Sequence, residues 1–277
     1  PSAEAMNDSV FPIGLMLAMA TGTPLSLSAP VSRSLIENST EVQDIFTSWY
    51  PRKFQRVELR VEPREPRDTS SSSRTMSTFT AGVDSFYTLH RRFDEISTVL
   101  YVHGFDVPLK NSGVREMMSD NLRAAAQSAG KELVQGASNI RRFLNPHMTW
   151  SSMSHGAAIA GFASLLSDTH GKLYLPASYS YADLYPWGSH PLVDPKWSTD
   201  ALGIVHEGAG AGRVEKTRAI AHEPSAQKHL RVCFQRDGSY NCGHCKKCVR
   251  TKTALELEGV LESFATFSEG LQPSEIE

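Results

Sequence analysis

All four cysteines of the 277-residue chain fall between positions 233 and 248, in RVCFQRDGSYNCGHCKKCVRT. Cys233 is followed after eight residues by Cys242, and Cys245 and Cys248 come at two-residue intervals. Thiolates three positions apart can reach one tetrahedral ion at about 2.3 Å from each sulfur, and the longer gap lets Cys233 close the site from another segment. A secreted disulfide framework scatters its cysteines to close loops, so this clustering points to metal in a reducing, cytoplasmic compartment. The expected occupant is structural Zn²⁺, with an iron–sulfur cluster as the alternative. Gly243 relieves the turn between ligands. His244 is a conceivable substitute ligand, but four thiolates already fill the shell and leave no position for a reactive water.

A second stretch that could do chemistry is TFTAGVDSFYTL, residues 78–89. A strand entering a glycine-containing turn and then a helix presents free N–H groups and the positive end of a helix dipole, a setting that favours phosphate. Gly82 allows close backbone approach and Ser85 adds a hydroxyl. Asp84 is the odd member, because a carboxylate repels phosphate. It fits if it places Mg²⁺, or if it caps an ordinary helix start, and both readings stay open here. His103-Gly104-Phe105-Asp106 ends the next apolar run and could cradle adenine or ribose, or be a simple turn. Arg213 and Lys216 follow the glycine-rich GAGAG and could stabilise a leaving pyrophosphate, or belong to an exposed helix. Asn139, Arg141, Arg142 and His155 are weaker candidates. Residues 177–199 lack periodicity, so Ser178, Tyr179, Ser180, Trp187, Gly188, Ser189, His190 and Asp194 are expected either to line a substrate pocket or to pack as a surface loop. Arg250 and Lys252 are read as surface cations.

The elements that must position these residues alternate. Strands are expected at Leu25–Ser28, Val57–Val61, Thr75–Thr80, Ser97–His103, Lys131–Gln135 and Leu173–Ala177. Helices are expected at Phe11–Ala20, Val31–Tyr50, Phe86–Phe93, Val114–Gly130 and Gly156–Leu166, with Ser32 or Ser34 capping the second. The continuous apolar run STVLYVH reads as a buried parallel strand. This alternation predicts an α/β fold with a doubly wound parallel sheet. Residues 63–75, PREPRDTSSSSRT, read as an exposed linker, dividing an N-terminal α/β extension (1–70) from a main domain (71–277). Apolar residues at 40% and charged residues at 21% suit a globular chain. A net charge of −2 gives no footprint for nucleic acid. Val10–Ala20, interrupted by Pro12, is too short to span a membrane and lacks the basic flank of a secretion signal.

Thr80, Ala81, Gly82, Val83, Asp84 and Ser85 resemble the Ser-Gly-Gly-x-Asp-Ser signature of the PP-loop ATP pyrophosphatase superfamily, with Thr80 for Ser and Ala81 for Gly. Together with the cysteine pattern, the stretch from about 75 to 255 is similar to the 7-cyano-7-deazaguanine synthase family. The resemblance implies an adenine nucleotide alpha-hydrolase-like fold, ATP and Mg²⁺ as cofactors, and Zn²⁺ on the four cysteines. It implies a ligase that adenylates a carboxylate or amide oxygen of a small, nucleobase-like or carboxylate substrate and releases pyrophosphate. Ammonia or an amine then displaces AMP. Asp84, Ser85 and Lys216 are the implied catalytic residues. Residues 80–85, His103, Gly104 and Arg213 are the implied nucleotide contacts, with Lys216 matching a lysine of the family. A homodimer is compatible with this reading. The alternatives are sulfur transfer to an activated base, and a protein that binds ATP without cleaving it, the latter suggested by Ala81.

Overall fold

A computed structural model describes residues 1–66, 74–233 and 240–271. In chain order its elements are α1 (Ala3–Thr21), β1 (Leu25–Ser26), β2 (Val31–Ser32), α2 (Arg33–Trp49), β3 (Leu59–Arg60), β4 (Pro63–Arg64) and β5 (Arg74–Thr78). There follow α3 (Val83–Arg91), β6 (Thr98–His103), α4 (Ser112–Ser128), β7 (Glu132–Ala137), α5 (Arg141–Leu144), a π-helical turn at Trp150–Ser154 and α6 (His155–Ser164). The chain continues through β8 (His170–Pro176), β9 (Gly203–Glu207), α7 (Arg213–Ala219), α8 (Pro224–His229) and α9 (Lys246–Leu257). The architecture is α/β, and five strands form one parallel sheet in the order β7-β6-β5-β8-β9. Numbered along the chain within the sheet, that order is 3-2-1-4-5, so the direction of winding reverses at β5. Ligands of open parallel sheets bind outside the carboxyl ends of the strands at such a reversal. No helix among the described residues is long and apolar enough to cross a membrane.

The chain divides into two compact units. The first comprises residues 1–75, 139–175 and 184–206, so the N-terminal lead-in shares its core with later segments. Ser2 caps α1 by accepting from the Ala5 N–H at 3.1 Å, which starts the helix eight residues before the expected Phe11 and carries it through Pro12. α1 packs on α6, where a Cβ at Gly161 would stand 2.5 Å from the Ser9 carbonyl oxygen. Arg64 sits between Asp8 (2.7 Å) and Asp200 (3.0 Å), all nearly buried. The segment expected to be a linker thus contributes β4, which pairs with β2, and a buried ion triad. Its residues 67–73 lie outside the described residues. Ser32 precedes α2 but makes no capping bond, because its hydroxyl is engaged with Ser34 and the Asp200 N–H.

The second unit comprises residues 76–138, 176–183 and 207–277. β5, β6 and β7 run parallel, with Thr78 opposite Leu100 and Tyr101 opposite Gln135. Every residue of β6 is buried, as the apolar run predicts. α3 packs on α7, α4 on α8 and α7 on α9.

Candidate functional site

The loop from β5 to α3 in the second unit brings together residues 80–85. Ala81 has φ 56°, a left-handed backbone otherwise adopted only by glycines among the described residues, and its side chain is fully buried. A residue with a Cβ holds that conformation at a cost of about 1–2 kcal/mol, so something must fix it. The Ala81 carbonyl accepts the Arg231 N–H at 2.8 Å. A Cβ on Gly82 would lie 3.3 Å from Thr80 Oγ1 and 3.5 Å from the Arg231 carbonyl oxygen, so this turn is tightly flanked. Val83 is core. Ser85 is buried and its hydroxyl donates to the Gly82 carbonyl at 3.0 Å. No side chain among the described residues caps α3, which leaves its first N–H groups without an intrahelical or side-chain acceptor there.

Asp84 lies in the first turn of α3, and α7 supplies its counter-charges. Arg213 Nη2 donates to Asp84 Oδ2 at 2.8 Å and Lys216 Nζ to Oδ1 at 3.4 Å. Lys216 Nζ also donates to the Ala177 carbonyl at 2.6 Å, and the ammonium stands 5.7 Å from the Tyr87 ring centroid. The lysine side chain is 2% exposed, against 22% for Asp84 and 25% for Arg213. Burial pushes the Lys216 ammonium below the usual lysine range against the pull of Asp84, and the like charge of Arg213 pushes the same way. Behind this cluster Glu207, at the end of β9, is buried and clamped by Arg91 (3.2 Å) and Arg92 (2.9 Å). Gly208, at φ 93°, leaves room for the Tyr87 ring, which a Cβ there would approach to 3.2 Å. Glu215 caps α7 by accepting from the Gly212 N–H at 2.6 Å. Arg250 on α9 is exposed as a whole residue, but partial desolvation lowers its guanidinium pKa, Arg213 lowers it further and Asp84 opposes them.

The four cysteine sulfurs all lie within 4.8 Å of one another, none in a disulfide, and this cluster could hold a metal ion. Cys233–Cys245 and Cys242–Cys248 are each 3.9 Å apart. Four sulfurs about 2.3 Å from a central ion define edges of about 3.8 Å, so the set fits tetrahedral thiolate coordination. Cys245 stands at the N-cap position of α9 without a side-chain capping bond, and its N–H donates to Cys242 Sγ at 3.4 Å. At Cys245 burial opposes ionisation, but hydrogen bonds from the Cys248 and Lys247 N–H groups and from the neighbouring thiols prevail, bringing the thiol to about 7. Asn241 Oδ1 accepts from the N–H groups of Val232 (2.9 Å) and Cys233 (3.1 Å), and its amide donates to the Leu230 carbonyl at 2.8 Å. His244 is exposed, outside the sulfur cluster. Residues 234–239, within the long ligand gap, lie outside the described residues.

Other candidates stand apart from these two clusters. His103 is buried, with Nε2 3.0 Å from both Gln135 Oε1 and Ser119 Oγ. Gly104 is required by packing, since a Cβ there would lie 2.0 Å from the Ser138 carbonyl oxygen. Within the first unit, Asp194 is fully buried and accepts from Ser189 (2.6 Å) and the His190 N–H (3.2 Å), with His206 Nδ1 at 2.6 Å. A Cβ at Gly188 would meet His155 Nδ1 at 2.7 Å. Of the 177–199 residues read either as pocket lining or as a packed loop, Ser189, His190 and Asp194 are tied to one another by hydrogen bonds and Gly188 packs closely on His155. Lys252 is 1% exposed rather than a surface cation, its ammonium donating to the Gly243 carbonyl at 3.3 Å. Sequence reading missed Glu207, Ala177 and Arg231; the first two sit at or just past strand carboxyl ends, where the position itself was the signal.

Comparison with protein-family profiles, characterised proteins and solved structures gives no significant match.

Proposed function

We propose that the second unit binds ATP and adenylates a carboxylate or amide oxygen of a small molecule, releasing pyrophosphate, with ammonia or an amine then displacing AMP. The observation that carries this reading is the pairing of Arg213 and the buried Lys216 with Asp84 beside an uncapped helix start. Asp84 is the only carboxylate within ion-pair distance of either cation among the described residues. Two cations, open N–H groups and a hydroxyl at the carboxyl end of a parallel strand suit a polyphosphate. The left-handed Ala81 supports it too, because the loop keeps the backbone shape a glycine would give.

The N–H groups opening α3 and the Thr80 hydroxyl would hold phosphate oxygens, and Ser85 would join them by turning its proton away from the Gly82 carbonyl. Asp84 would hold Mg²⁺, which when bound supplies charge neutralisation between the phosphates. Arg213 and Lys216 then exchange their carboxylate partner for phosphate oxygens, and Lys216, fixed by the Ala177 carbonyl, stabilises charge on the departing pyrophosphate. Positioning and charge carry such a reaction more than proton transfer does. The four cysteines would hold Zn²⁺ in a closed structural site.

The test is incubation with ATP, Mg²⁺ and a panel of carboxylates, amides and amine donors, following AMP and pyrophosphate, alongside ATP binding by calorimetry. Pyrophosphate release dependent on a second substrate is the expected result. Measurable ATP binding with no pyrophosphate from any substrate would replace the enzyme with a nucleotide-binding protein, and no ATP binding would remove both.

A further inference from the structure

The cysteine cluster lies in an apolar surround. Cys233, Cys245 and Cys248 are 2%, 7% and 0% exposed, and Val232 and Phe267 pack against them. Four thiolates around one divalent ion leave two net negative charges, and burying such charge is costly unless it is paired and hydrogen-bonded. Backbone groups meet part of that need. The Cys245 N–H donates to Cys242 Sγ at 3.4 Å, the Gly243 N–H to the Cys248 sulfur, and the Cys248 and Lys247 N–H groups to the Cys245 sulfur. These dipoles orient the sulfurs but bring no net charge.

A cation is buried in the same place. Lys252 is 1% exposed, and lysine is almost never so deeply buried unless something compensates its charge. It follows Cys248 by four residues on the buried face of α9, so the two side chains are neighbours on one helix. Long side chains on a helix lean toward its N-terminus, and here that end carries Cys245 and Cys248. The ammonium accordingly reaches back to the Gly243 carbonyl at 3.3 Å. Gly243, between Cys242 and Cys245, thus takes Lys252 on its carbonyl and holds Cys248 with its N–H, in a turn whose φ of 81° suits glycine. Lys246 and Lys247 are closer to the sulfurs along the chain but exposed, where solvent and salt screen their charge.

We propose that Lys252 is a positioning residue of the metal site: its buried ammonium offsets negative charge on the four thiolates and, through the Gly243 carbonyl, fixes the turn between Cys242 and Cys245. The inference rests on reading the four cysteines as metal ligands and is independent of the ATP reading. Ligands must be deprotonated to bind metal, so the negative charge facing Lys252 is greatest in the loaded state. The lysine therefore favours the loaded state over the empty one. Partners standing behind metal ligands in this way typically contribute about 10–100-fold to metal affinity.

The experiment measures Zn²⁺ affinity of the full chain by competition with a chromophoric chelator, in the parent and in Lys252→Met, Lys252→Gln and Lys252→Arg. Co²⁺ absorption checks that the thiolates still bind tetrahedrally. The two neutral variants are expected to hold Zn²⁺ about tenfold or more weakly than the parent, with the shape of the Co²⁺ spectrum unchanged. Lys252→Arg keeps the charge and should bind at least about threefold more tightly than Lys252→Met. Melting temperatures separate charge from packing. Metal-free Lys252→Met should melt no lower than the metal-free parent, because a buried cation has gone, while its rise on adding Zn²⁺ should be smaller. Neutral variants that match the parent in Zn²⁺ affinity overturn the proposal. It is equally overturned, in favour of a packing role, if Lys252→Arg is as weak as Lys252→Met, if loss of the charge lowers the metal-free and loaded melting temperatures alike, or if both neutral variants fail to fold. A parent chain that binds neither Zn²⁺ nor Co²⁺ removes the metal reading itself, and this inference with it.

Discussion

Replacing Ala81 with glycine measures what the left-handed turn costs. The substitution relieves about 1–2 kcal/mol of backbone strain at φ 56°. It returns about 0.5–1 kcal/mol through the greater freedom of glycine in the unfolded chain. It also forfeits about 0.8 kcal/mol for a methyl group that is 0% exposed. The three terms nearly cancel, so Ala81→Gly is expected to shift the melting temperature by no more than about 3 °C in either direction. Ala81→Val is the control. A β-branched side chain keeps the strain and overfills a closed site by about 1–3 kcal/mol, giving a loss of more than about 2 kcal/mol by thermal or denaturant unfolding. Valine tolerated as well as glycine would refute the left-handed geometry. The buried methyl group has a second consequence: pointing into protein, it does not meet an approaching phosphate. ATP affinity of Ala81→Gly should thus stay within about threefold of the parent, under the ~0.8 kcal/mol attached to one methylene-sized group. A gain of tenfold or more would show that the methyl group crowds the nucleotide.

Three further outcomes follow from the Asp84 cluster and the four cysteines. Asp84→Asn should abolish pyrophosphate release while far-ultraviolet circular dichroism stays unchanged; retained turnover would show that the carboxylate does not hold the metal. Lys216 has its pKa lowered from 10.5 by burial, so activity should fall as pH rises through a value below 10.5, and Lys216→Arg should remove that limb. The unfolded chain holds this proton to higher pH than the folded one, so between the two pKa values stability contributed by Lys216 rises with pH; a fall there in urea titrations would contradict the assignment. Elemental analysis should find zinc in protein purified without chelator, and stripping it should speed hydrogen exchange at residues 229–233 and 246–257 and weaken ATP binding. Exchange unchanged by stripping would mean that the four cysteines do not organise those segments.

What could be read in advance depended on whether the signal was local. STVLYVH shows six buried residues in a row as a strand should, and observed β6 starts one residue later than expected. GIVHE, residues 203–207, was not foreseen as β9, because His206 and Glu207 interrupt its apolar pattern and its pairing within the sheet is what makes it a strand. Lys252 was legible and overlooked: Cys248, Thr251, Lys252 and Leu255 follow the i, i+3, i+4, i+7 spacing of a buried helical face, and all four are buried. Arg64 was not legible, since its partners Asp8 and Asp200 lie far away along the chain.

The loop and the cysteine window were separate signals in the sequence and are physically one. An alanine held at φ 56° needs its surroundings to over-determine the turn. Here the Ala81 carbonyl is taken by the Arg231 N–H, the next two N–H groups are taken by Asn241, and Cys233 ends that segment inside the sulfur cluster. A metal ion on the cysteines would anchor residues 231–233, and those residues hold the turn. The strain that glycine would have avoided at position 81 is therefore met by a hydrogen bond from an irregular segment about 150 residues downstream, which explains how an alanine can stand in a loop of this shape and why metal loss should be felt there first.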